Sequence, residues 1–380
     1  MSEAVLSKSS TACSLQSVAI LRLALGLTIL LGTIIFLEGT SWDIQWHSYI
    51  GRDRTLIPPH IMMLSGVALS GFSSLLIVLI ESLWSRHNQS IAQYGSRFAE
   101  IFTAPPGAYI VGYAALLAAV AFPLDTYWHT LYGIDVAIWA PFHIMFFASM
   151  GIAALGAVYV LNSAAHLADR ASAPAIQRAA ALGVVLALAT FLGLFTLLLF
   201  DALDRRHTLD LGFMRISFFP LLSDTLVAFT MVAAASMIPW RWAATYVGIL
   251  YLCLAGIMAM FVQPATDLLL GIEHLSYRAH PPFTSILALE WFIAPLIVAI
   301  LIDVARQQLS GKLLTLFQSC GALLSGALPI MFVYPLFPIM PILQLGVAGF
   351  LVSLLLGLGG AYLGTLFGQN VGAIISSPER

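Results

Sequence analysis

The sequence predicts an all-α polytopic membrane helix bundle of about ten transmembrane helices. Three observations carry this. Of the 380 residues, 60% are hydrophobic and only 9% charged, with a mean hydropathy of +0.94. A soluble domain carries roughly 25% charged residues and needs them to cover its surface. Apolar runs long enough to cross ~30 Å of hydrocarbon recur from end to end. The longest connection between them, about 81–105, has some 25 residues, too few for a soluble domain. A cytosolic globular enzyme and a disordered tail are thereby excluded. So is a nucleic-acid binder, because 16 Lys+Arg against 18 Asp+Glu leave no basic face for phosphates. Cys13, Cys253 and Cys320 form no CxxC pair and suggest neither a disulfide framework nor a thiolate metal site.

In chain order the spans are expected at 17–38, 58–80, 106–124, 139–161, 177–200, 215–238, 242–263, 283–304, 313–335 and 340–367. The first is not read as a cleavable signal, since GTSWDIQW follows it in place of small residues. The N-terminal side, the even-numbered connections and the C-terminus hold ten Lys and Arg, and the odd-numbered connections six. This bias predicts cytoplasmic termini. Histidine is distributed the opposite way: seven of nine, His47, His60, His129, His143, His207, His274 and His280, fall on the outer side.

The first and third connections repeat each other. One reads Asp43-Ile-Gln-Trp46-His47-Ser-Tyr-Ile-Gly51-Arg-Asp53, then Pro58-Pro59-His60-Ile61-Met62. The other reads Asp125-Thr-Tyr-Trp128-His129-Thr-Leu-Tyr-Gly133-Ile-Asp135, then Pro141-Phe142-His143-Ile144-Met145. Residues 17–80 and 106–161 therefore look like a duplicated two-helix unit. Asp43 and His47, like Asp125 and His129, are four residues apart and share a helix face. The prolines suit the first turn of the next helix, placing His60 and His143 one turn inside it. Asp43, His47 and His60, and Asp125, His129 and His143, are thus candidate three-ligand sites with open positions for copper, non-haem iron or zinc. Asp53 and Asp135 are expected to orient an imidazole, and Gly51 and Gly133 to let the loops turn. Trp42, Trp46, Trp128 and Trp139 are expected as interfacial belt residues, and Met62 and Met145 as packing residues.

The repeat resembles the C subunit of the copper membrane monooxygenases, the particulate methane and ammonia monooxygenases. That subunit carries an Asp-x3-His-x12-His set in a WH…RD…PSH run, matched by Asp43, His47 and His60 with Trp46, Arg52, Asp53 and Pro58-Pro59. Its second set, Asn-x3-His-x13-His, ends in an APLH-like segment. Asp125, His129 and His143 have that spacing, and Ala140-Pro141-Phe142-His143 resembles the ending. Asp125 stands where the family has Asn, which makes the second site more acidic. The resemblance covers about residues 17–165 and implies copper at both sets. It divides the chain into a metal-binding unit, 1–170, and six further helices, 171–380. Nothing here resembles the cupredoxin-like portion of the family's other subunits.

In the second half, DALDRRHTLDLGFMRI (201–216), with Asp201, Asp204, Arg205, Arg206, His207 and Asp210, reads as a solvated loop with ion pairs. Glu273, His274 and His280 echo the motif only in part. Asp224 and Glu290 fall inside spans, where an acidic residue costs about 2.5–3.5 kcal/mol and faces a cavity or a partner. Gly360 and Gly364 have the spacing of close helix packing.

Three functions suit these features: a copper-dependent membrane monooxygenase or a subunit of one, a copper transport or delivery protein, and a structural subunit with an ancillary metal. The crowding of histidines at the outer edge favours the first, an oxidoreductase acting with dioxygen on a small or lipophilic substrate. It would need an external electron donor, since no haem, flavin or iron–sulfur motif is visible. The expected setting is a bacterial inner membrane with the metal sites toward the periplasm. The lipid bilayer and partner subunits or further copies of the chain are the expected partners.

Overall fold

The computed structural model describes residues 2–51, 54–133, 138–200, 208–331 and 342–376. It is almost wholly helical. The helices are α1 (Ser2–Tyr49), α2 (Pro58–His87), α3 (Gln89–Ala92), α4 (Pro106–Tyr132), α5 (Pro141–Arg170), α6 (Pro174–Phe200), α7 (Phe219–Met237), α8 (Ala243–Glu273), α9 (Ile286–Glu290), α10 (Ala294–Gln308), α11 (Gly311–Ala322), α12 (Leu324–Met331) and α13 (Ile342–Ser376). Two short antiparallel hairpins, β1 (Ser96–Phe98) with β2 (Phe102–Ala104) and β3 (Thr208–Asp210) with β4 (Arg215–Ser217), lie in connections.

Among the described residues, nine helical stretches are long and apolar enough to cross a membrane. The expected span over 283–304 is divided instead into α9 and the 15-residue α10. Fifteen residues rise only ~22 Å. Pro295 lies in the first turn of α10, where it starts a helix but cannot continue one. The break is held by Trp291, whose indole N–H donates to the Tyr251 carbonyl at 3.0 Å.

The duplicated unit is a ring of four helices. α1 packs on α2 and α5, and α4 packs on α5 and α2. Exchanging α1 with α4 and α2 with α5 leaves these contacts unchanged, so the duplication is also a quasi-two-fold arrangement in space. Within each hairpin two glycines let the backbones approach. A Cβ on Gly32 would lie 2.7 Å from the Gly66 carbonyl oxygen, and one on Gly107 2.5 Å from that of Gly156. At the end opposite the hairpin loops, Arg22 of α1 grips Glu81 of α2 through two bonds, Nε to Oε1 at 2.8 Å and Nη2 to Oε2 at 2.7 Å. Arg22 also donates to the Ser163 hydroxyl of α5 and to the Tyr94 carbonyl. Both side chains are buried, so Arg22 is an internal tie between helices and not a loop charge.

In the second half, α13 lies along α7. Gly360 and Gly364 face Leu221 and Thr225 of α7, so their spacing serves packing within the chain. Asp224 of α7 is fully buried. Its Oδ1 accepts from the Ser325 hydroxyl and the Gly326 N–H, both at 2.6 Å, fixing the start of α12.

Candidate metal centre

Each triad is assembled by one hairpin. α1 carries Asp43 and His47 on the same face of its last two turns, and α2 opens on Pro58-Pro59 with His60 in its first turn. α4 and α5 repeat this with Asp125, His129, Pro141 and His143. Gly51 and Gly133 both have positive φ, +67° and +86°, and release the chain from the helix at the equivalent point.

The geometry of the two sets is closely alike. In the first, Asp43 Oδ1 lies 3.0 Å from His60 Nε2 and 3.4 Å from His47 Nε2. In the second, Asp125 lies 3.3 Å from both His129 Nε2 and His143 Nε2. Within each triad one ligand atom per residue lies within 4.8 Å of the others. Bonds of about 2.0–2.1 Å arranged tetrahedrally would set ligand atoms ~3.3–3.4 Å apart, so the sets fit a small transition-metal ion. All six side chains are partly buried, between 10 and 19% exposed.

The imidazoles are also oriented for this. His60 Nδ1 lies 3.1 Å from the Thr55 carbonyl oxygen, and His129 Nδ1 3.2 Å from that of Gly133. A carbonyl only accepts, so Nδ1 carries the proton and in the neutral ring Nε2 is left as a lone-pair donor. That lone pair faces a carboxylate oxygen, an arrangement that requires a positive ion or a proton between them. Two backbone carbonyls thus orient one imidazole in each set; Asp53 and Asp135, expected to orient an imidazole, lie outside the described residues. Motif spacing gave no sign of either carbonyl, because any residue type supplies one.

An aromatic wall separates the two sets. His60 packs on Phe122, Phe122 on Phe146, Phe146 on Phe147 and Phe147 on His143, with ring centroids 5.8–6.4 Å apart. Phe36 packs edge-on against Phe146 at 4.8 Å. The inner side of both sites is therefore lined by apolar rings. The first loop is additionally covered from the second half of the chain: Arg278 donates to the Gly51 carbonyl at 2.8 Å. The second loop contains no Lys or Arg of its own.

No protein-family model, no curated protein and no solved structure matches the chain.

Several expectations are corrected. Trp42 and Trp46 are not belt residues but are 9% and 1% exposed, because α1 is enclosed by α2, α5, α6, α8 and α9. Trp139 is tied inward, its indole N–H donating to the Leu198 carbonyl at 2.7 Å. Met62 and Met145 pack against the core, as expected. Glu273, His274 and His280 form no group with ligand spacing among the described residues, where the two triads alone do. Asp210 pairs with Arg215 at 2.8 Å; Arg52, residues 201–207 and the side chain of Glu290 lie outside the description. Glu38 was missed by motif reading. It is a carboxylate inside the first span, 4% exposed, and an acidic residue in that apolar run was the available signal.

Proposed function

We propose that this membrane protein holds copper at both triads and acts as a copper-dependent oxygenase, or as the metal-bearing subunit of one. The observation that supports this most is the pair of Asp/His/His sets, each with three ligands and open positions against an apolar aromatic wall. Two imidazoles and one carboxylate suit copper, which leads the divalent series in affinity, although the same donors accept iron or zinc. Bound there, copper would supply one-electron redox change and a place for dioxygen. Asp43, His47 and His60, and Asp125, His129 and His143, would bind it. The Thr55 and Gly133 carbonyls hold two imidazoles in the ligating tautomer. Phe122, Phe146 and Phe147 line the inner side with apolar rings, a surface that suits a small or lipophilic substrate. Electrons come from an external donor.

A transport role would call for ligand groups through the depth of the membrane. Among the described residues both groups lie at the same, loop end of the hairpins. The Lys/Arg bias supports cytoplasmic termini and metal sites on the periplasmic side of a bacterial inner membrane. The resemblance to the copper membrane monooxygenase C subunit supports the choice of metal.

The test is metal analysis with EPR on protein purified from membranes, then stripped and reloaded separately with copper, iron and zinc. Copper signals at two nitrogen-rich sites are expected. One is lost in His47→Ala/His60→Ala and the other in His129→Ala/His143→Ala. Reductant-dependent oxygen uptake should occur only after copper loading. Stoichiometric zinc with no copper signal, or oxygen uptake indifferent to both double variants, would refute the proposal.

A further inference from the structure

Glu38 and Trp42 lie one helical turn apart on α1 and share a face with Ser41 and Gln45. This is a different face from that of Asp43 and His47, and its neighbours define it. Trp42 packs edge-on against Phe261 of α8 at 5.6 Å. The Ser41 hydroxyl meets that of Ser285, the N-cap of α9, at 2.9 Å. Gln45 donates to Gln263 of α8 at 2.7 Å and accepts from the Ile286 N–H at 3.1 Å.

Both carboxyl oxygens of Glu38 and the indole nitrogen of Trp42 are buried and make no hydrogen bond. An ionised carboxylate in such surroundings has lost its hydration with nothing in exchange. The polar groups above it are joined to one another. Gln263 donates to the Tyr277 hydroxyl at 2.8 Å, and that hydroxyl donates to Asp267 at 2.6 Å. Asp267 is exposed at the loop end of the bundle. The hydrogen-bonded line runs from Asp267 through Tyr277 and Gln263 to Gln45; the Ser41–Ser285 pair stands one turn beyond it, on the α1 face that Gln45 shares with Glu38. Asp224 differs in that its Oδ1 already accepts from Ser325 and Gly326.

We propose that Glu38 is a proton-binding carboxyl inside the membrane, loaded from the loop end of the bundle along the Asp267, Tyr277, Gln263 and Gln45 line between α1 and α8. The ligand is a proton; it bonds to a carboxyl oxygen and leaves by the same path. Glu38 lies five residues from Asp43, about 7.5 Å along α1, so a proton held there is near the metal set but reached separately. The inference does not depend on which metal, if any, the triads bind.

Two measurements on the full chain in lipid vesicles test this. The first needs no variant: dicyclohexylcarbodiimide enters the apolar phase and adds to a carboxylic acid. The acid proton goes to nitrogen, the carboxyl oxygen to the central carbon, and the product rearranges to a stable N-acylurea. Mass spectrometry should find that adduct on Glu38, and none there with a water-soluble cationic carbodiimide. An unmodified Glu38 with the apolar reagent overturns the proposal. The second is infrared spectroscopy of the acid C=O stretch. A band lost in Glu38→Gln and kept in Asp224→Asn should shift promptly in heavy water, and Gln263→Leu should slow that shift several-fold. Absence of a Glu38-dependent acid band refutes the proton site. An unchanged exchange rate in Gln263→Leu, with Glu38 still labelled, refutes the path.

Discussion

Replacing Glu81 with Gln should destabilise the four-helix ring more than any single change at the candidate metal ligands. The amide keeps the shape of the side chain but removes its charge, leaving the Arg22 guanidinium buried with no counter-ion. Breaking a buried pair from one side costs about 3–5 kcal/mol, because the remaining charge cannot be rehydrated. Arg22 keeps the Ser163 hydroxyl and the Tyr94 carbonyl as acceptors, which places the loss near the lower figure, about 3 kcal/mol. Removing both charges is different. Arg22→Met with Glu81→Leu exchanges a desolvated pair for apolar packing, and such exchanges are often neutral or stabilising. The double variant should therefore recover most of the loss, within about 1 kcal/mol of the parent. The assay is equilibrium unfolding of the parent and both variants in mixed detergent micelles, followed by circular dichroism. A Glu81→Gln loss below about 0.5 kcal/mol would mean that water reaches the pair. A double variant as unstable as Glu81→Gln would mean that the pair is retained for shape and not for charge balance.

The remaining expectations concern the sites and the packing. Asp125→Asn should weaken metal binding more than Asp43→Asn, because the first loop contains Arg54 and is reached by Arg278 whereas the second loop contains no Lys or Arg; calorimetric titration of metal-stripped protein with copper decides. Gly360→Leu should cost roughly 1–3 kcal/mol, since the new side chain meets the Leu221 carbonyl and Thr225 where α13 lies against α7; thermal unfolding measures it. Burial, then the hydrogen bond to Asp267, push the Tyr277 hydroxyl up from its ordinary value to about 12. The folded state thus holds this proton more firmly than the unfolded chain, so its stabilisation is present below pH ~10 and lost as pH rises through about 12. In Tyr277→Phe the decline in stability over that alkaline window should be shallower.

Much of the molecule was legible as sequence because the membrane constrains it so strongly. Backbone groups in hydrocarbon must be satisfied internally, so a run of twenty apolar residues has no alternative to helix. Both triads were legible too. Asp43 to His47 and Asp125 to His129 are helix spacings, and Pro58 and Pro141 fix where the next helix begins, so each site forms within one hairpin. The duplication made the pattern visible by giving it twice.

What the tertiary structure decided involves elements distant along the chain. Arg22 meets Glu81 across 59 residues, and Gln45 meets Gln263 across 218. The burial of Trp42 and Trp46 depends on α8 and α9 closing over α1, and nothing within the first connection encodes that. The orienting acceptors of His60 and His129 are backbone carbonyls, which carry no residue signature. The division of the span over 283–304 follows from the packing of Trp291 on Tyr251 combined with Pro295, whereas hydropathy averages over such a break. Local spacing along a helix was fixed by the sequence itself because a helix has one period. Which faces meet, and which buried groups are left without partners, is set only when all the helices have packed.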